Sequence, residues 1–127
     1  MIEFKFNTEL GILEVEFNGE LTLQEMLDYG EMIRLNKDFP RNLKILTNAS
    51  NSDYKFSLAD LKIMVDRMKE QIKPYHSVKT AVIQAKPVET AMSLLVNANS
   101  NFEGYEHKVF ATRNAALNWL CQDKFIG

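Results

Sequence analysis

The sequence predicts a small α/β domain on a five-stranded mixed sheet of order 1-2-3-4-5, with an antiparallel edge strand 1 and helices mainly on one face. Two alternating segments, Ile2-Phe4-Phe6 and Leu13-Val15-Phe17, stand close enough in the chain to form a hairpin. After them, helical and strand patterns take turns, giving the order β-β-α-β-α-β-α-β-α. Strands separated by helices must run parallel, and their crossovers are right-handed.

Each element has a local reason. Asn7-Thr8-Glu9-Leu10-Gly11 reads as the hairpin turn, and Asn18-Gly19-Glu20 ends the second strand. Thr22 and Glu25 have the spacing of a capping box, and Leu23, Met26, Leu27, Gly30 and Ile33 follow on one helical face. Asp38-Phe39-Pro40 stops that helix. Leu43 to Thr47 is a short apolar strand, and Asn48 to Phe56 reads as a polar loop. Ser57 starts a second helix, whose stripe is Leu58, Leu61, Val65, Met68 and Ile72. Val78 to Gln84 is a strand rich in β-branched residues. Pro87 suits the first turn of a third helix using Val88, Met92 and Leu95, which dissolves in Asn97 to Asn101. His107 to Ala111 is the last strand, and Thr112 caps a final helix bearing Ala116, Leu117 and Leu120.

Length and composition fit one domain over residues 1–127. The chain is 46% hydrophobic and 25% charged, an ordinary globular balance. No apolar run reaches the roughly 18 residues of a transmembrane helix, and no secretion signal opens the chain. The single cysteine, Cys121, excludes an internal disulfide and points to a reducing cytosol. A net charge of −2 argues against nucleic acid as a partner. The charge is uneven, however. Residues 1–31 hold eight acids and one lysine, whereas the remainder holds nine acids and fourteen bases. Such asymmetry steers association, although each charge also simply solvates an outer face.

Alternation assigns the two faces of the sheet. Phe4, Phe6, Leu13, Val15, Ile45, Val82 and Val109 take the helix side; Glu14, Glu16, Lys44, Lys79 and Lys108 take the other. The same phase puts Leu46, Ala81, Ile83 and Phe110 on that second face. This predicts an apolar patch that serves as an interface unless a helix or the loop 49–56 covers it.

With these patterns in place, the chain resembles the SpoIIAA-like fold, in the branch called STAS-like. The matching features are the opening hairpin, Asn18-Gly19 before a Thr-capped helix, the strands Leu43–Thr47 and Val78–Gln84, and Val109-Phe110 followed by the helix with Ala116 and Trp119. The resemblance implies a non-enzymatic domain that binds proteins, nucleotides or lipids, and one branch resembles CRAL-TRIO lipid carriers. Anti-sigma antagonists of this kind carry an aspartate and a phosphorylatable serine after the central strand. Here that region reads Thr47-Asn48-Ala49-Ser50-Asn51-Ser52-Asp53, with Asn48 in the place of the aspartate. Ser50 and Ser57 are the candidate phosphosites, each with a plain alternative as a turn residue and an N-cap.

The catalytic inventory is thin. His76 and His107 have no cysteine or acid at metal-ligand spacing, and Cys121 beside Trp119 reads as a packed thiol. No nucleophile elbow or phosphate-binding glycine loop is present. Helix starts at Thr22, Ser57, Pro87 and Thr112 share one sheet edge with Lys86 and Arg113, which makes that edge a candidate anion site. The expected function is a non-catalytic binding or regulatory module, acting as a homodimer or on a protein partner through Leu46, Ala81, Ile83 and Phe110. The alternative is a carrier of a small apolar or lipid ligand, which requires a closed cavity behind Leu46, Ile83 and Phe110. An enzyme is the remaining class, and no cofactor or metal is expected.

Overall fold

The computed structural model describes residues 1–122. Strands β1 (Ile2–Asn7), β2 (Ile12–Thr22), β3 (Asn42–Lys55), β4 (Ser77–Ile83) and β5 (Tyr105–Phe110) form one sheet in the order β1-β2-β3-β4-β5. The helices are α1 (Leu23–Leu35), α2 (Leu58–Gln71), α3 (Pro87–Asn99) and α4 (Arg113–Leu120). Only β1 runs antiparallel; the other pairings are parallel.

The hairpin turn depends on Gly11. Its φ of +68° lies in the left-handed region, and its N–H donates to the Asn7 carbonyl at 2.8 Å. Two helix starts are closed by capping boxes. The Glu25 N–H donates to the Thr22 hydroxyl while the Glu25 carboxylate accepts from the Thr22 N–H, and Ser57 and Asp60 repeat the arrangement. Thr112 caps α4, accepting from the Ala115 N–H at 3.2 Å. At α3, Pro87 replaces a side-chain cap.

Helices α1, α2 and α3 each link adjacent parallel strands in the same direction along the sheet, so the common hand of such crossovers puts them on one face. They cover a core containing Leu13, Val15, Phe17, Leu43, Ile45, Val78 and Val82. Gly30 lets α2 close on α1. The Gln71 amide occupies the space a Cβ at Gly30 would take, and its Nε2 donates to the Leu27 carbonyl at 3.1 Å.

The far face corrects the expected patch. No strand follows α4 among the described residues, so the crossover rule does not govern its side, and α4 packs across β3, β4 and β5 on the opposite face. Leu46, Ala81 and Ile83 are buried there with Ile12, beneath Ala116 and Leu120, and half-buried Phe110 packs against Trp119. The patch is filled by the chain itself. Polar contacts pin α4 at both ends. Arg113 pairs with Glu14 at 2.9 Å, and the Lys79 ammonium sits 4.3 Å from the Trp119 ring centroid while donating to the Trp119 carbonyl. Asn7 donating to Glu14, with Arg113 beside it, holds that carboxyl below its ordinary range.

Three elements, β2, β3 and α3, run past the ends that the sequence pattern gives, and β2 continues through Asn18-Gly19-Glu20 to Thr22. Asn48 to Lys55 is not a loop but the second half of β3: Asn48 pairs with Glu16 of β2 and, beyond a bulge, Asn51–Lys55 pair with Asn18–Thr22. Buried side chains satisfy the backbone at that irregularity. Ser52 Oγ and Gln84 Nε2 both donate to the Ala49 carbonyl, at 2.6 and 2.7 Å. Helix α3 persists to Asn99 with a different phase. Ser93 and Val96 face inward, whereas Val88 and Leu95 are exposed. Leu58 also stands in solvent, at the first turn of α2, and Phe4 at the sheet edge is about half exposed.

Candidate functional site

The sequence-predicted sites do not assemble. Thr22, Ser57 and Lys86 start helices on one face of the sheet, while Thr112 and Arg113 start the helix on the other. Both cations are already engaged: Lys86 pairs with Asp53 at 2.9 Å and donates to the Ser52 carbonyl, and Arg113 holds Glu14. The Lys86 ammonium holds the Asp53 carboxyl below its ordinary range. Ser57 spends its hydroxyl oxygen on the Asp60 N–H, and Ser50 Oγ donates to Asn48 Oδ1 at 2.6 Å. Cys121 is not packed but exposed, just past the end of α4. His76 is exposed in the turn before β4, far along the chain from His107 on β5.

The structure instead contains a cavity of about 130 Å³ between the sheet and α1, α2 and α3. It lies on the opposite side of the sheet from Leu46, Ile83 and Phe110, behind which the carrier alternative placed its cavity and where α4 now packs. Four of the six methionines, Met26, Met64, Met68 and Met92, line it together with Phe17, Leu61 and Val96. Methionine has three rotatable bonds and a polarisable sulfur, so such a wall adapts to the shape placed against it.

The floor is polar. Alternation puts Thr47 of β3, Thr80 of β4 and both Tyr105 and His107 of β5 on the helix side, and Thr80 and His107 are register partners. Tyr29 of α1 reaches the same place, interacting with Thr47, as Tyr105 does with Thr80. Higher on the wall, the Tyr54 hydroxyl lies 3.3 Å from Ser93 Oγ. Burial pushes the Tyr105 phenol up to about 12 and the Tyr29 phenol higher still; in each case the threonine partner pulls the other way. The Tyr105 and His107 rings stack with centroids 6.3 Å apart, and His107 Nδ1 is buried without a hydrogen-bond partner.

Burial drives the His107 imidazole from 6.5 down to about 4. The unfolded chain therefore takes up that proton first as pH falls. The full contribution stands above about pH 6.5, and by about pH 4 it has cost on the order of 3 kcal/mol. Urea unfolding at intervals from pH 7 to 4 is expected to show this slope, and His107→Gln to flatten it. An unchanged slope in the variant would place the imidazole in water. Lowered carboxyls such as Glu14 and Asp53 titrate further down and remain in both proteins.

No helix among the described residues is long and apolar enough to cross a membrane. No protein-family model matches the chain, and no curated protein does. Among solved structures, an uncharacterized protein of the DUF3478 family from Shewanella loihica, described as having a SpoIIAA-like fold, is similar. It superposes with a TM-score of 0.61 over 95% of this chain and 93% of its own, at 19% identity. Together with the sequential mixed sheet, this gives the chain the SpoIIAA-like fold.

Proposed function

We propose that this domain is a non-catalytic binding module whose ligand is a small, mainly apolar molecule seated between the sheet and α1, α2 and α3. The cavity of about 130 Å³ carries the reading. Apolar protein cavities of about 150 Å³ hold benzene, so a single ring or short branched chain matches the volume and a long acyl chain does not. Its walls lack a nucleophile paired with a base, and its titratable lining groups, Tyr29, Tyr54, Tyr105 and His107, form no acid–base pair of the kind catalysis needs. The binding module expected to work through Leu46, Ala81, Ile83 and Phe110 loses its surface to α4.

The methionines supply the test. With 13C-methyl methionine, toluene is expected to shift Met26, Met64, Met68 and Met92 and leave Met1 and Met32, which lie outside the cavity lining. The dissociation constant should be about 1 mM or tighter, on the order of 4 kcal/mol, well within what so small a ligand can gain. Val96→Phe, which fills the cavity, should abolish the shifts. Shifts spread over all six methionines, or none at saturating toluene, would dismiss the reading.

A further inference from the structure

Resting on that binding reading, we infer that the cavity selects an uncharged ligand carrying one hydrogen-bonding group, of the phenol or primary amide class, and refuses the matching carboxylate. The first ground is what the lining lacks. No lysine, arginine, aspartate or glutamate is among the described residues that line it. A carboxylate placed there would be buried with no opposite charge, and a buried charge is tolerated only when paired and hydrogen-bonded. Glu89, which accepts from the Tyr54 N–H, and Glu31, which accepts from Gln71 Nε2, are carboxylates hydrogen-bonded to the lining, of the same sign as the ligand it refuses.

The second ground is what the floor offers. Thr47 and Thr80 are 2% and 9% exposed and lie beside the Tyr29 and Tyr105 phenols. A hydroxyl has one proton and two lone pairs, so a pair of hydroxyls that satisfies itself once still has a donor and acceptors to spare. His107, register partner of Thr80, adds a buried Nδ1 with no partner in the protein. Unmet polar capacity in an otherwise apolar site is the arrangement that fixes a ligand by one polar group. The same surroundings keep the protein's own groups neutral, with the Tyr105 phenol held up at about 12 and His107 down at about 4.

Four probes of matched size decide it: toluene, phenol, pentanamide and pentanoate, each titrated at pH 7.5 against the methionine methyl signals. Phenol is expected to bind at least as tightly as toluene, because its hydroxyl finds partners that a wholly apolar cavity would deny it. Pentanamide is expected to bind at least about tenfold more tightly than pentanoate. Thr80→Val, which keeps the side-chain shape and removes the hydroxyl, should weaken phenol about tenfold relative to toluene. Pentanoate binding as well as pentanamide would overturn the inference. So would phenol binding more than about tenfold more weakly than toluene, or refusal of pentanamide as well as pentanoate. Failure of toluene itself would instead remove the binding reading on which the inference rests.

Discussion

Ile83→Lys is expected to unfold the protein. Ile83 is 8% exposed and sits on the far face among Leu46, Ala81 and Phe110, under Leu120 of α4. On that face Glu14 is already held by Asn7 and Arg113, and Glu16, in register with Ile83 across β3, is exposed to solvent. A lysine at position 83 must therefore bury an unpaired ammonium or push α4 away. Either outcome costs several kcal/mol, against a total stability of about 5–15 kcal/mol for a domain of this size. Circular dichroism and thermal unfolding should show the native transition lost or lowered by well over 10 °C. Ile83→Val, which removes one methyl group, should cost only about 0.5–1.5 kcal/mol and serves as the control. A folded Ile83→Lys protein that sediments as a lighter species would mean that the face joins two copies, as the bare strand pattern suggested.

Leu120→Ala is expected to lose about 2–5 kcal/mol in urea unfolding and to promote self-association as concentration rises. Leu120 is fully buried, and α4 has only eight residues. A helix that short is not stable by itself in water, so its order is supplied by packing. Removing its principal anchor weakens the cover over Leu46 and Ile83, whose exposure would leave an apolar surface. A loss under about 0.5 kcal/mol with unchanged sedimentation would show that Arg113 and Lys79 hold α4 without its apolar side chains.

The strand phase was legible because charge fixes it. Glu14, Lys44 and Lys79 cannot face the main core, so Leu13, Ile45 and Val78 must, and the register agrees. The side taken by α4 was not legible, because handedness constrains only a helix between two parallel strands. The strand through Asn48–Lys55 was hidden by its composition. Its asparagines and serines have turn propensity, and pairing to β2 with buried bonds from Ser52 and Gln84 overrides it. The cavity floor left a signal that apolar pattern reading passes over. Thr47, Thr80, Tyr105 and His107 occupy helix-side positions of three adjacent strands, where a plain core would carry only apolar side chains. The volume above them depends on how closely α1 and α2 approach at Gly30, which no single-residue propensity encodes.

The position of α4 also sets a hazard during synthesis. Each strand pairs with its neighbour in sequence, so the emerging chain can add strands in the order they leave the ribosome, with α1, α2 and α3 closing the first face as they appear. The second face gains no cover over that interval. Leu46, Ala81, Ile83 and Phe110 are assembled into one apolar surface by the time β5 pairs, and only the segment made after it can shield them. Until Leu120 is translated and seated, the nascent chain presents a sticky sheet face, the kind of surface that chaperones hold and that neighbouring unfinished chains join.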